Sequence, residues 1–534
     1  MRSWRRLVAV LLVASAEPMS AQAGDPLAHR FDALLGPSLG ATTPGCVVGA
    51  AREGLPTLYR TYGLADLEHP VANDTATVFE AGSVSKQFTA AAVVLLAQAG
   101  RLSLDDQVRR WVPELAAEQP PMTVRQLLQH QAGLRDWGHV VELSGWPRGT
   151  RRYAQDEIVA LIARQRATDF TPGSEYSYSN SGYVLAAHIV ARASGESFAA
   201  YTARAIFVPL GMTRTQWRDD PTRPVPGRAR GWSPSDSGWR IDTPMEDVVG
   251  HGGLLTTVPD LLRWQANFLR PDVGGPAFVA EMERVGVLAS GRATGYALGL
   301  EVEQVNGERA VSHGGWTQGY KSYVGRVPAR RVAVALLCNA GSLDTEQLGA
   351  ALLAAAVGDT SSPAAERAPD LGPPSADARR QAVAGQYRSS RTGQPVQVRA
   401  FEGGITVNRW QGYRAVSADS FVQVDGGRVL RVERDAKGTV ARYRVRSPAG
   451  DVVSYERAEP WEPTAATLRG IAGRYRSDEA DAMWTVEAAG DTLFVRRRTG
   501  QRDAMEPRYR DAFVVPSAGW LVLVRRNGSG RVTR

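Results

Sequence analysis

Strand-like apolar runs open and close the stretch between residues 45 and 339, and amphipathic helical patterns fill the space between them. CVVGAA at Cys46 is followed by a turn at Arg52-Glu53-Gly54 and a return strand, LYRTYG. Far along the chain YALGLEVEQV, GYKSYVGRVP and RVAVALLCNA repeat the β pattern, and TEQLGAALLAAAV closes the region as a helix. Between these ends, QFTAAAVVLLAQAG, TVRQLLQH, DEIVALIARQ, SGYVLAAHIVARA and VPDLLRWQANF carry apolar residues on one helical face. Two distant sets of strands with helices between them can bury their apolar faces together only by joining. The expected fold class is therefore α/β: one mixed sheet built from both ends of the segment, flanked by helices and a helical domain.

The texture changes after residue 358. Residues 359–379 are rich in Pro, Ala, Ser and Asp and read as a linker. Beyond them short alternating strands are separated by Gly-containing turns, and Gly385-Gln386-Tyr387-Arg388-Ser389 recurs as Gly473-Arg474-Tyr475-Arg476-Ser477. VLRVERDAKGTVAR is likewise echoed by LVLVRRNGSGRVTR. Two tandem all-β barrel modules, lipocalin-like, are expected at 380–460 and 461–534. The first runs on through YRVRSPAGDVVSYER after the matched hairpin and the second stops at Arg534, so the second is expected to be incomplete.

Residues 1–23 show an arginine-rich start, an apolar run from Leu7 to Ala16 and a small-residue site at Ala21-Gln22-Ala23, the pattern of a secretory signal cleaved near Ala23. The main domain then covers 24–358, and the expected location is periplasmic or secreted. No run of 18 apolar residues follows, so no membrane span is expected. The formal net charge of +8 is spread among interspersed acids, giving no stripe for nucleic acid. Only Cys46 and Cys338 are present; an oxidising compartment would let them pair, and two buried thiols are the alternative.

The chemistry begins at Ser83-Val84-Ser85-Lys86. A serine hydroxyl is a weak nucleophile at neutral pH and needs a proton acceptor within hydrogen-bond reach. On a helix starting at Ser83 and ending before Gly100, positions i and i+3 share a face, which brings the Lys86 amine beside Ser83. Burial can lower that amine's pKa enough for it to act as a base. Alone, S-x-x-K is a weak signal. A second element, Tyr178-Ser179-Asn180, precedes a helix and supplies a phenol that can relay a proton and an amide that can hold a carbonyl or tether the lysine. A third, His313-Gly314-Gly315-Trp316, leads into strands, where glycines allow close backbone approach and an N–H can meet an oxyanion. His251-Gly252-Gly253 spells the same letters but leads into a turn and helix, and reads as a packing turn.

S-V-S-K, Y-S-N and H-G-G in this order and spacing resemble the penicillin-recognising serine hydrolases: class C β-lactamases, D-alanyl-D-alanine carboxypeptidases, esterases and D-aminopeptidases. FEAGSVSKQFT, LLQHQAGL, GGLLTT and VAVALLCN are similar too, and the likeness spans about 30 to 358. It implies an acyl-enzyme on Ser83, an acid/base pair of Lys86 and Tyr178, substrate contacts from Asn180, His313, Gly315 and Trp316, and an oxyanion hole from the Ser83 and Trp316 N–H groups. β-Lactamases and carboxypeptidases of this family usually carry K-T-G where this chain has H-G-G, which turns the expectation away from anionic substrates. Two C-terminal barrels are similar to the D-aminopeptidase architecture.

The expected activity is hydrolysis of small amides, peptides or esters, with D-amino-acid peptides or amides first. A carboxylesterase or weak β-lactamase is the enzyme alternative, and a penicillin- or muropeptide-binding sensor the non-catalytic one. Asp478, Glu479 and Asp481 are candidate acids for a substrate ammonium, against the simpler reading of an exposed turn. No H-x-x-x-H or H-E-x-x-H occurs, so neither metal nor cofactor is expected, and a homo-oligomer is compatible with the sequence.

Overall fold

The computed structural model describes residues 25–358 and 381–533, apart from 402, 409–410, 418, 424–427 and 447–451. The leader expected at 1–23 and the linker expected at 359–379 lie outside the described residues. Six strands form the central sheet: β1 (Cys46–Arg52), β2 (Leu58–Tyr62), β3 (Glu301–Val305), β4 (Glu308–Thr317), β5 (Tyr320–Val327) and β6 (Val332–Cys338). Their order is β3-β4-β5-β6-β1-β2, so the two ends of the segment meet where β6 pairs with β1. Every pairing is antiparallel, which replaces the expected mixed sheet, because β3 to β6 follow one another as hairpins and β1 runs opposite to β6.

Strand alternation gives the sheet two buried faces. Val47, Val311, Val324, Ala333, Ala335 and Leu337 face the helical side, where α2 (Ser85–Gln98), α5 (Asn180–Ser194) and α6 (Val258–Leu269) contribute to the larger core. Val48, Ala50, Val334 and Leu336 face α1 (Pro26–Leu35) and α7 (Thr345–Val357). Cys46 lies opposite Cys338 in the β1–β6 register, and the two form a disulfide that ties chain segments 292 residues apart. The helical lobe also holds α3 (Trp137–Ser144) and α4 (Gln155–Ala163).

Two expectations shift locally. The helix expected from Ser83 begins as a 3-10 turn at Gly82–Val84 and becomes α-helical at Ser85, with Gly100 at φ +67° beyond its end. The strand expected from Tyr296 starts only at Glu301. Gly295 and Gly299 have φ of +78° and +70°, and a Cβ on Gly299 would lie 2.8 Å from the Lys86 carbonyl carbon. The segment leaves the sheet to pack on the start of α2.

The first β-module is a closed barrel of eight strands, from Gly385–Ser389 to Val452–Arg457. The second is a six-stranded sheet from Gly473–Ser477 to Trp520–Leu523. The sequence repeat has one physical basis in both copies. Tyr387 Oη donates to the Val383 carbonyl at 2.8 Å and Tyr475 Oη to the Ile471 carbonyl at 2.5 Å, each fixing the entry into its first strand. The modules touch the helical lobe, where Trp484 Nε1 donates to the Leu143 carbonyl at 2.8 Å and Arg391 pairs with Glu175.

Candidate active site

Gly82 turns the chain at φ +50°, and the following residues put Ser83 and Lys86 on one side of the emerging helix. Lys86 is fully buried. Its Nζ lies 3.0 Å from Ser83 Oγ, 2.9 Å from Asn180 Oδ1 and 2.7 Å from the His251 carbonyl oxygen. An amide oxygen and a carbonyl oxygen can only accept hydrogen bonds. A neutral amine has two N–H groups and one lone pair, so these two acceptors take both N–H groups and leave the lone pair for the one partner with a proton to give, Ser83. Burial drives the amine well below its ordinary range; Asp136 opposes that drop and Arg148 adds to it.

Asn180, the first residue of α5, is held in turn. The Asp136 carboxylate accepts from the Asn180 backbone N at 2.7 Å and from Nδ2 at 2.9 Å, which leaves Oδ1 as the atom turned to Lys86. Asp136 also caps α3 through the Gly138 N–H at 2.8 Å. Tyr178 places its ring centroid 4.8 Å from Lys86 Nζ and 4.2 Å from the His130 ring. Although 38% of the residue is exposed, burial of its hydroxyl end raises the pKa well above the ordinary 10, with a hydrogen bond to Ser83 pulling the other way. A solvated phenol already keeps its proton at pH 7, so Tyr178 is a neutral donor under either influence.

The third side of the site is β4. A Cβ on Gly315 would lie 2.3 Å from the Ala81 carbonyl oxygen, 2.2 Å from Ser322 Oγ and 3.2 Å from the Ser83 nitrogen. A Cβ on Gly82 would lie 2.7 Å from the Trp316 nitrogen. Only glycines let the Ser83 turn and β4 come this close, so the Ser83 and Trp316 nitrogens belong to backbone segments in van der Waals contact. The Trp316 side chain points outward, 69% exposed, with Lys321 Nζ 4.6 Å from its ring. His313 is buried, with Nε2 2.9 Å from Tyr296 Oη and Nδ1 2.5 Å from the Gly314 carbonyl oxygen. Burial lowers its pKa to about 3, so it is uncharged at neutral pH.

The structure brings Ser83, Lys86, Tyr178, Asn180, Gly315 and the Trp316 backbone together, and it engages both ring nitrogens of His313 within the protein. Sequence reasoning missed Asp136 and the His251 carbonyl. The segment set aside as a packing turn carries the carbonyl that holds Lys86, a role no side-chain pattern could reveal. Of the three acids, Asp478 pairs with Arg476 and Asp481 with Arg498. Glu479 accepts from Arg135 Nη1 at 2.9 Å and from the Arg166 N–H at 3.1 Å, docking the second module beside the site. Among the described residues no cluster of three or more His, Cys, Asp or Glu side chains could hold a metal ion.

A D-aminopeptidase of Cereibacter sphaeroides (strain KD131 / KCTC 12085) is 28% identical over 545 residues, covering 95% of this chain and 96% of the relative. A D-aminopeptidase of Brucella anthropi is 30% identical over 288 residues, 52% of each chain. Among solved structures, the D-amino acid amidase from Ochrobactrum anthropi SV3 complexed with D-phenylalanine superposes with a TM-score of 0.53 at 24% identity, over 62% of this chain and 99% of that one. The octameric penicillin-binding protein homologue from Pyrococcus abyssi shares the fold with a TM-score of 0.55 at 21% identity, over 80% of this chain and 99% of that one. The family model described as Beta-lactamase matches residues 31–359, so the chain belongs to the β-lactamase family of serine hydrolases.

Proposed function

We propose that this hydrolase cleaves small amides or peptides with a D-amino acid at the free N-terminus, through an acyl-enzyme on Ser83. The observation that carries the mechanism is the pair of pure acceptors, Asn180 Oδ1 and the His251 carbonyl, on the buried Lys86 amine. As Ser83 Oγ attacks the substrate carbonyl carbon, its proton passes to the Lys86 lone pair. The carbonyl oxygen, now an anion, lies between the Ser83 and Trp316 N–H groups. When the C–N bond breaks, the Tyr178 hydroxyl gives its proton to the leaving nitrogen and recovers one from Lys86, which returns to the neutral amine. A water molecule then repeats the steps in reverse roles and releases the acid.

The substrate class is supported by charge and by kinship. The uncharged His313 offers no cation to the carboxylate of a β-lactam or a C-terminal D-alanine. The D-aminopeptidase relative matches across both β-modules as well as the catalytic segment. An esterase would use the same machinery, so the test compares three chromogenic substrates: a D-alanine anilide, a short acyl ester and a cephalosporin, each with the wild-type chain and Ser83→Ala. The reading predicts fastest turnover of the anilide and loss of it in the variant. Preferential ester turnover would move the function to an esterase, and single labelling without turnover would make the protein a sensor.

A further inference from the structure

His313 occupies the position from which this family would be expected to reach a substrate, yet both of its ring nitrogens are committed elsewhere. A carbonyl oxygen only accepts, so the 2.5 Å contact to the Gly314 carbonyl requires the proton on Nδ1. The neutral ring then has a lone pair on Nε2, and the 2.9 Å contact there makes Tyr296 Oη the donor. Tyr296 is 2% exposed, its ring centroid 4.7 Å from that of His130 and 6.2 Å, perpendicular, from that of Tyr178. It is delivered by the segment between Gly295 and Gly299 that leaves the sheet.

The consequence lies in the backbone. Gly314 and Gly315 are held on one edge by the β4–β5 ladder, opposite Tyr323 and Ser322, but glycine has the widest conformational freedom of any residue, so their peptide planes can still tilt about that edge. The plane whose carbonyl accepts from His313 is the Gly314–Gly315 peptide, immediately before the one that carries the Trp316 N–H. We infer that His313 and Tyr296 are positioning residues: the Gly314 carbonyl sets the Nδ1–H tautomer of His313, Tyr296 holds the ring by donating to Nε2, His313 pins the Gly314–Gly315 peptide plane, and the pinned plane aims the Trp316 N–H at the reacting oxygen. This inference rests on the reading of Trp316 N–H as an oxyanion donor. It also gives a reason for histidine here, since a neutral imidazole supplies one donor for the Gly314 carbonyl and one acceptor for Tyr296 Oη, whereas a lysine ammonium has only donors.

The test has one arm independent of activity. With 15N-labelled histidine, the His313 ring of the wild-type protein should show the Nδ1–H tautomer throughout pH 5.5–8, and Tyr296→Phe should keep that tautomer while shifting the Nε2 resonance as its lone pair loses a hydrogen bond. In turnover of the best chromogenic substrate, Tyr296→Phe should lower kcat roughly 10- to 100-fold with KM little changed, because the oxyanion contact strengthens only in the transition state. His313→Asn, whose amide nitrogen falls near the Nδ1 position, should keep at least about tenfold more activity than His313→Ala. An Nε2–H tautomer in the wild type, equal losses in the Asn and Ala variants, or a Tyr296→Phe effect confined to KM would each overturn the inference. Turnover that survives Ser83→Ala would instead refute the acyl-enzyme reading while leaving the tautomer result standing.

Discussion

Gly315→Ala is the smallest change that tests how the site is assembled. The added methyl would begin 2.3 Å from the Ala81 carbonyl oxygen and 2.2 Å from Ser322 Oγ. Ser322 can rotate away, at the expense of its 2.7 Å hydrogen bond to that same carbonyl. The Ala81 carbonyl is backbone and cannot. Ordinary contact begins near 3.4 Å, so β4 must retreat from the Ser83 turn by about 1 Å. A misplacement of that size near reacting atoms is typically worth about 100-fold in rate, and removal of one oxyanion donor about 100- to 1,000-fold in kcat. Overpacking should also cost about 1–3 kcal/mol of stability. The assay is steady-state turnover of the best chromogenic substrate, with thermal melting alongside: kcat should fall at least about 100-fold, KM should move little, and the protein should remain folded. A variant with kcat within about threefold of wild type would show that β4 and the Ser83 turn do not jointly form the oxyanion site.

Asp136→Ala frees the Asn180 amide to turn; kcat/KM should drop about 10- to 100-fold, the size of one charge-assisted hydrogen bond, even though loss of the carboxylate favours the neutral amine of Lys86. Because only neutral Lys86 can accept the Ser83 proton, kcat/KM should rise with pH through the lowered pKa of Lys86 and reach a plateau, with no alkaline loss from Tyr178 below about pH 10. Stability follows the same group: between the folded pKa of Lys86 and its ordinary 10.5, the unfolded chain binds a proton that the folded chain does not, so stability climbs with pH across that window, and Lys86→Met should flatten the climb in melts from pH 6 to 10. Denatured, unreduced protein should titrate no free thiol, and replacing Cys46 and Cys338 by Ser should lower stability by roughly 2–5 kcal/mol, as expected for a cross-link closing so long a loop.

The residues that were legible in the sequence are those whose identity carries the chemistry. Ser83, Lys86, Tyr178 and Asn180 announce themselves through donors, acceptors and helical spacing, and the meeting of both ends of the segment 45–339 in one sheet followed from where the apolar strand runs fell. The tyrosine repeat of the β-modules was visible because one hydrogen bond recurs with one residue pattern. What escaped acts through the backbone or across long separations. The His251 carbonyl is 165 residues from Lys86 and its oxygen would be the same on any residue. Asp136 sits 44 residues from Asn180 and reads locally as an ordinary helix cap. His313 looked like a substrate contact because a side chain on a strand near the nucleophile invites that reading; only the placement of Tyr296 shows its ring committed to the protein.

The central claim, that Ser83 forms the acyl-enzyme, is tested most directly by intact mass spectrometry of protein quenched in acid during turnover of a slowly deacylated ester. The account predicts a mass increase equal to one acyl group, mapped by digestion to the peptide containing Ser83 and absent from Ser83→Ala. Steady turnover with no adduct, or an adduct on another residue that persists in Ser83→Ala, would contradict it.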